Sequence, residues 1–231
     1  MPLDATTEAE ALHLSRALEG APAEAVAEAA LERRGPLVSS YGAGSAALLH
    51  IVAGLDRDAP VIVLDTEMLF PETSDYVAAL SAHLGLRNVR RVHPEREAAF
   101  DVDPDGILHL TDPRACCALR KRAPLSAALK PFGAWMTGRR RIQTAARAAM
   151  PLVEAEDGRL KFNPLAGWGL GEVAAYIERN SIPPHPLVER GFRSIGCAPC
   201  TTAVAKDEDR RAGRWRGTGR VACGMHEGDR A

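Results

Sequence analysis

Five cysteines are the first chemical inventory of this 231-residue chain. Cys116 and Cys117 are adjacent, and Cys197 and Cys200 form a C-x-x-C pair far downstream. Four thiols in two pairs can hold a tetrahedral metal ion or an iron–sulfur cluster. Buried, unreactive thiols are the plain alternative. A disulfide framework is not expected, because a bridge between adjacent cysteines would strain the peptide joining them and a reducing cytosol keeps thiols reduced. Cys223 is left over, beside Gly224 near the end of the sequence.

Cations form the second inventory. Lys121 lies four residues after Cys117, hence on the same helical face, where its charge would offset that of four thiolates. The competing reading is a solvated face flanked by Arg120 and Arg122. Arg139-Arg140-Arg141 follows an expected strand, where guanidinium groups suit sulfate or phosphate, or simply form a surface charge run. Arg210, Arg211, Arg214, Arg216 and Arg220 are interleaved with Trp215 and glycines. That composition fits a basic, mobile tail closing over an anionic ligand, or a disordered one.

Composition limits the classes. With 29 basic and 30 acidic residues the formal net charge is -1, so no global field calls for nucleic acid. A hydrophobic content of 46% can bury a sizeable core. Residues 1–30 lack a basic segment followed by an apolar run, and nothing approaches the roughly 20 apolar residues of a spanning helix. A cytoplasmic protein is expected. Asp101-x-Asp103-x-Asp105-Gly106 has a superficial calcium-loop spacing, but Pro104 interrupts it and Asp112 stands where glutamate belongs, so a solvated turn is expected.

These groups must be placed by elements. Residues 4–34 read as two helices, ended by Gly35-Pro36 and packed outside the core sheet. Leu37 to Ser40 is a short buried strand, then Tyr41-Gly42-Ala43-Gly44-Ser45 leads into an apolar helix over 46–53. Strand, glycine turn and helix present backbone N–H groups to anionic oxygens, with Ser40 and Ser45 as further donors, although an ordinary βα turn looks the same. Strands over 61–64 and 89–92 follow, with Asp65-Thr66 at the carboxyl end of the first, where ligands of parallel sheets bind. A helix spans 71–84, another 116–129, and a strand 133–137. Residues 151–154 and 160–162 flank an Asp157-Gly158 turn as a hairpin, and a helix follows over 171–180. Alternating strands and helices predict an α/β, Rossmann-like parallel sheet with helices on both faces. The expected divisions are 1–35 (N-terminal helices), 36–208 (α/β domain) and 209–231 (flexible tail).

Several motifs together resemble the assimilatory adenylyl-sulfate (APS) reductases, relatives of the phosphoadenylyl-sulfate (PAPS) reductases, over about residues 36–228. Ser39-Ser40-Tyr41-Gly42-Ala43 is similar to the family's modified pyrophosphate loop, and Leu64-Asp65-Thr66 with Leu69 to Thr73 to its LDT…LFPET signature. Cys116 to Lys121 resembles CC-x-x-RK, and Trp135 to Gln143 the W-x-TG-x-RR-x-Q segment. Ser194 to Thr201, Arg211 to Trp215, and Cys223-Gly224-Met225-His226 resemble the second ligand motif, the arginine pair and the catalytic tail. The resemblance implies a pyrophosphate-loop fold like that of the adenine-nucleotide hydrolases, and a [4Fe-4S] cluster on Cys116, Cys117, Cys197 and Cys200. It implies Cys223 as the nucleophile that takes the sulfonyl group from APS and releases AMP. Thioredoxin or a glutaredoxin-like thiol would then free sulfite. Its candidate substrate contacts are Ser39, Ser40, Gly42, Asp65, Thr66, Lys121, Arg140, Arg141, Arg211, Arg214 and His226. The chemistry suits them: Arg211, Arg214 and Lys121 can lower a thiol pKa and stabilise sulfonyl oxygens. Some members are homo-oligomers. Departures are Gly44-Ser45 in place of a common acidic pair, Ile142 in place of an acid, and Ala222 in place of the usual Glu. The rival readings are a PAPS reductase, an ATP-using pyrophosphate-loop thiolation enzyme, and a zinc module on nucleic acid.

Overall fold

The computed structural model describes residues 5–218 and Arg220. Helices α1 (Ala5–Ala17) and α2 (Ala23–Glu32) precede strand β1 (Leu37–Ser39), helix α3 (Ser45–Leu55) and strand β2 (Val61–Leu64). Helix α4 (Pro71–Leu84), strand β3 (Val89–Val92) and the short helices α5 (Arg96–Val102) and α6 (Leu108–Thr111) follow. Then come α7 (Pro113–Cys117), a π turn (Ala118–Arg122), α8 (Ala123–Leu129) and β4 (Ala134–Thr137). Strands β5 (Val153–Glu156) and β6 (Arg159–Phe162) and helix α9 (Leu170–Arg179) complete the regular elements.

The strands form one six-stranded sheet in the order β3-β2-β1-β4-β6-β5. All neighbours are parallel except β5 and β6. That pair is the expected hairpin, with positive φ at both Asp157 (51°) and Gly158 (72°), the backbone a two-residue turn between twisted strands prefers. Strands β1, β2 and β4 carry apolar residues on both faces because both are covered, whereas β6 buries Lys161 in an ion pair with Glu156. Leu37, Val61, Val63, Ala134 and Met136 point into one core, shared with α2, α3, α4 and α9. Their neighbours Val38, Ile62 and Trp135 point the other way, against Leu125 and Leu129 of α8.

Three expectations change. The N-terminal helices lie outside the sheet but are continuous with its core: Val26, Ala27 and Ala30 of α2 and Ala11 of α1 are buried in the same cluster. The helix expected over 116–129 starts at Pro113 and passes through the π turn, where the Ala123 amide bonds Ala118 O. Pro124 gives the reason: it has no N–H for the Arg120 carbonyl, and its ring would collide with that carbonyl in α register. Asp103 is not solvated. It is buried, receives the Leu108 amide at 2.8 Å and pairs with Arg120 at 2.9 Å.

Candidate functional site

The chain runs from β1 to β2 and β3 on one side and to β4 and β6 on the other, so the order reverses between β1 and β4. Ligands of open parallel sheets bind beyond the carboxyl ends of strands at such a point. A pocket opens there, walled by Ser39 and Ser40 after β1, Thr66 after β2 and Thr137 to Arg140 after β4.

The loop from β1 to α3 is held in shape by one side chain. Tyr41 has φ 47°, uncommon for a bulky residue, and is fully buried with its hydroxyl 2.8 Å from Ser81 Oγ. Its amide donates to Ser39 Oγ at 3.2 Å, and Ser40 and Ser45 hydroxyls lie 3.4 Å apart across the turn. The N-terminus of α3 thereby faces the pocket, and its unpaired N–H groups favour an anion.

Among the described residues, every charged residue on the pocket wall is a base: Lys121, Arg139, Arg140, Arg147, Arg193, Arg211 and Arg214. They are not equivalent. Arg139 pairs with Glu154 and reaches Asn163 Oδ1 at 3.4 Å, so its charge is compensated. Arg140 is buried with its Nη1 lacking a hydrogen-bond partner, and burial followed by the nearby Arg210 pushes its pKa down. A buried guanidinium that lacks a partner is a place for an anionic ligand.

Beside the pocket, Cys116, Cys117, Cys197 and Cys200 line one small cavity with Met68, His109, Arg120, Lys121 and Trp215. Cys116 and Cys117 come from the last turn of α7, Cys200 from a 3-10 turn over Ala198–Cys200, and Cys197 from the residue before it. That turn is pinned by the Ala198 amide on Met68 O (2.7 Å) and by Thr66 Oγ1 beside Cys197 Sγ (3.2 Å). Burial, then the charge of Cys197, pushes the Cys116 thiol up against the opposing pull of Arg120 and Lys121. Cys200 is pushed up for the same two reasons, against Lys121, Arg214 and Arg220. Arg120 itself is structural, bonding Asp103, Glu67 and the Thr66 carbonyl. Among the described residues no group of His, Cys, Asp or Glu is gathered around a single metal ion. Four thiols around a shared cavity, with Arg120 and Lys121 beside them, are a donor set of the kind that holds zinc or an iron–sulfur cluster.

Lys121 touches both compartments, with Nζ 4.0 Å from Cys117 Sγ and its side chain on the pocket wall. Trp215 also belongs to both linings, and its amide bonds Cys200 O at 3.0 Å. Of the expected contacts, Ser39, Ser40, Gly42, Thr66, Lys121, Arg140, Arg211 and Arg214 are brought together on the pocket wall. Asp65 and Arg141 lie off it. Asp65 is drawn to Arg91 at 3.1 Å, and Arg141 turns back to Met150 O (2.8 Å) and Glu19. Cys223 and His226 fall outside the described residues. The expected tail from 209 is anchored through 218: Thr201 and Arg214 form a β-bridge, and the Thr202 amide bonds Gly213 O. Sequence reasoning missed Arg147, Gln143, Arg193 and Gly196 as wall residues; Arg193 stands four positions before Cys197, close enough to that motif to have been suspected.

The fold and these two compartments define an α/β protein with a basic pocket at its strand switch and a thiol set beside it. The model for the phosphoadenosine phosphosulfate reductase domain matches residues 36–203. An adenosine 5'-phosphosulfate reductase of Chelativorans sp. (strain BNC1) is 45% identical over 230 residues, covering 97% of this chain and 93% of that protein. One from Mesorhizobium japonicum is 47% identical over 189 residues, 82% of this chain and 74% of the relative. The crystal structure of a phosphoadenylyl-sulfate reductase from Candida auris, in a phosphate complex, superposes with a TM-score of 0.71 at 26% identity, over 88% of this chain and 99% of that one. The chain belongs to the phosphoadenosine phosphosulfate reductase domain family and is an oxidoreductase. Among the described residues no helix is long and apolar enough to cross a membrane.

Proposed function

We propose that this enzyme reduces adenylyl sulfate to sulfite and AMP in sulfate assimilation, with Cys223 as the nucleophile. The observation that carries the reading is the junction of an all-basic pocket at the β1/β4 switch with a four-thiol cavity, sharing Lys121, Cys197 and Trp215 as common wall. A nucleotide phosphosulfate is a dense anion that needs such a pocket, and the relatives at 45% and 47% identity carry the name of that activity.

In this reading the α3 N-terminus, Ser39, Ser40 and the uncompensated Arg140 hold the phosphate side. Lys121, Arg211 and Arg214 face the sulfonyl oxygens and the negative charge that shifts onto the leaving AMP. The Cys223 thiolate attacks sulfur, the sulfur–oxygen bond breaks, and AMP departs with the bonding pair. Cys223 then carries –S–SO3⁻. A dithiol reductant such as thioredoxin attacks the Cys223 sulfur, sulfite leaves, and the dithiol ends as a disulfide, which supplies the two electrons. Cys223 lies three positions after Arg220, and its assignment as nucleophile is supported by the likeness of Cys223-Gly224-Met225-His226 to the family's catalytic tail.

Cys116, Cys117, Cys197 and Cys200 would hold a [4Fe-4S] cluster. Bound there, it would supply a fixed charge facing the Lys121 ammonium. Thiols whose pKa is raised by burial are the ones that iron binding must deprotonate, so loading is expected to weaken as pH falls.

Sulfite release from APS and PAPS at equal limiting concentrations tests the substrate. A clear preference for APS is expected, and a preference for PAPS overturns the assignment. Cys223→Ser should abolish sulfite release while leaving iron and sulfide per chain unchanged. Turnover that survives this substitution removes Cys223 from the mechanism.

A further inference from the structure

Trp215 has a geometry that neither packing nor the chemistry above requires. It is buried, yet its φ of 50° lies in the left-handed region that a bulky side chain rarely occupies. Such strain persists only where the surroundings fix it, and it gathers at functional sites. Here the amide is held by Cys200 O, while the Trp215 carbonyl receives both the amide and the hydroxyl of Thr218. The indole is thereby set between the basic pocket and the cysteine cavity.

Guanidinium groups surround that ring. Arg214 lies 4.4 Å from its centroid, Arg211 5.8 Å and Arg220 6.0 Å. Arg214 is confined from its other side by Gly196, where an added Cβ would lie 2.3 Å from Nη2. Its Nη1 donates to Ile195 O at 3.2 Å. The guanidinium thus occupies a slot between an indole face and a glycine with no side chain.

We propose that Trp215 is a positioning residue: its indole, opposite Gly196, holds the Arg214 guanidinium on the wall of the anion pocket. The slot fixes a long side chain that would otherwise sample many rotamers before meeting a ligand, a cost each bound anion would have to meet. This rests on the reading of the pocket as a nucleotide site, but its test does not depend on turnover.

The experiment is calorimetric titration of protein purified without air, with AMP and separately with inorganic phosphate, on wild type, Trp215→Phe, Trp215→Leu and Gly196→Ala. Losing a desolvated cation–π stack should weaken both ligands about tenfold in Trp215→Leu, and Trp215→Phe, which keeps a ring, should stay within about threefold. Gly196→Ala leaves the indole untouched and fills the slot from the other side, so it should weaken both ligands to a similar degree. Iron per chain should equal that of wild type in Gly196→Ala and Trp215→Phe. Wild-type affinity in Gly196→Ala or in Trp215→Leu overturns the proposal. So does equal loss in Trp215→Phe and Trp215→Leu accompanied by loss of iron, which would make the ring a mere support of the Cys200 turn. A wild-type protein that takes phosphate but not AMP counts against the nucleotide reading alone, and the phosphate titrations still decide the role of Trp215.

Discussion

At the residue scale, two adjacent arginines of one motif have different work. Arg139 and Arg140 are indistinguishable in a sequence, since both follow a strand and both can bind oxyanions. What separates them is Glu154, more than ten residues downstream, which takes up the charge of Arg139 and leaves Arg140 buried with an unpartnered Nη1. A buried charge held without a counterion costs stability, and its retention here points to the ligand. Arg140→Met should therefore weaken AMP binding about 100-fold, the loss expected when charge-assisted hydrogen bonds disappear. Thermal unfolding of the ligand-free variant should occur at the same temperature or higher. A fall in melting temperature together with unchanged AMP affinity would show that Arg140 serves the fold instead. The same limit explains Asp65 and Arg141. Each sits where its motif allows a ligand contact, but Arg91, Met150 and Glu19 are brought to them by tertiary packing that no local pattern reveals.

At the element scale, strands β1, β2 and β4 were legible because each is a short, largely apolar run whose successive residues supply opposite cores, and such runs have few other uses. The π turn was not, because periodicity across 113–129 looks helical throughout and only Pro124 marks the change of register. The anchored segment 209–218 was also hidden, as arginine and glycine content gives no hint of the bridge from Thr201 to Arg214. A further unforeseen tie joins α4 to the connector after α9. His185 is buried, accepts the Leu187 amide on Nδ1 at 3.1 Å and meets Thr73 Oγ1 through Nε2 at 3.0 Å. With Nδ1 accepting, Nε2 carries the proton and the ring is neutral. Burial pushes its pKa down to about 4, against a weaker upward pull from Glu72. The unfolded chain, with a histidine near the usual value of about 6.5, binds the extra proton first as pH falls. The stabilisation is thus fully present above about pH 6.5, and up to about 3 kcal/mol is lost on descending to pH 4. Urea unfolding across that window should show this slope, and His185→Asn, which can still accept the Leu187 amide, should flatten it. An unchanged slope in the variant would assign the acid sensitivity to other groups.

At the scale of the whole molecule, net charge conceals the feature that matters. A chain with 29 basic and 30 acidic residues has no long-range field to speak of. The sign is nevertheless segregated. Carboxylates form structural pairs, as in Asp103 with Arg120, Glu154 with Arg139 and Asp58 with Arg87, and among the described residues none reaches the pocket wall. The pocket therefore has a local positive potential that decays over about one Debye length, near 10 Å at 0.1 M salt. An approaching phosphosulfate feels that potential only at the mouth, so capture should be sensitive to salt, whereas the enclosed chemical step is screened much less. Raising sodium chloride from 50 to 400 mM should lower kcat/KM for adenylyl sulfate about fivefold and leave kcat within a factor of about two. Initial rates of sulfite release across a substrate range at each salt concentration separate the two constants. If kcat falls in step with kcat/KM, salt is acting on the reaction itself or on the cysteine site, and the segregated charge would have no role in capture.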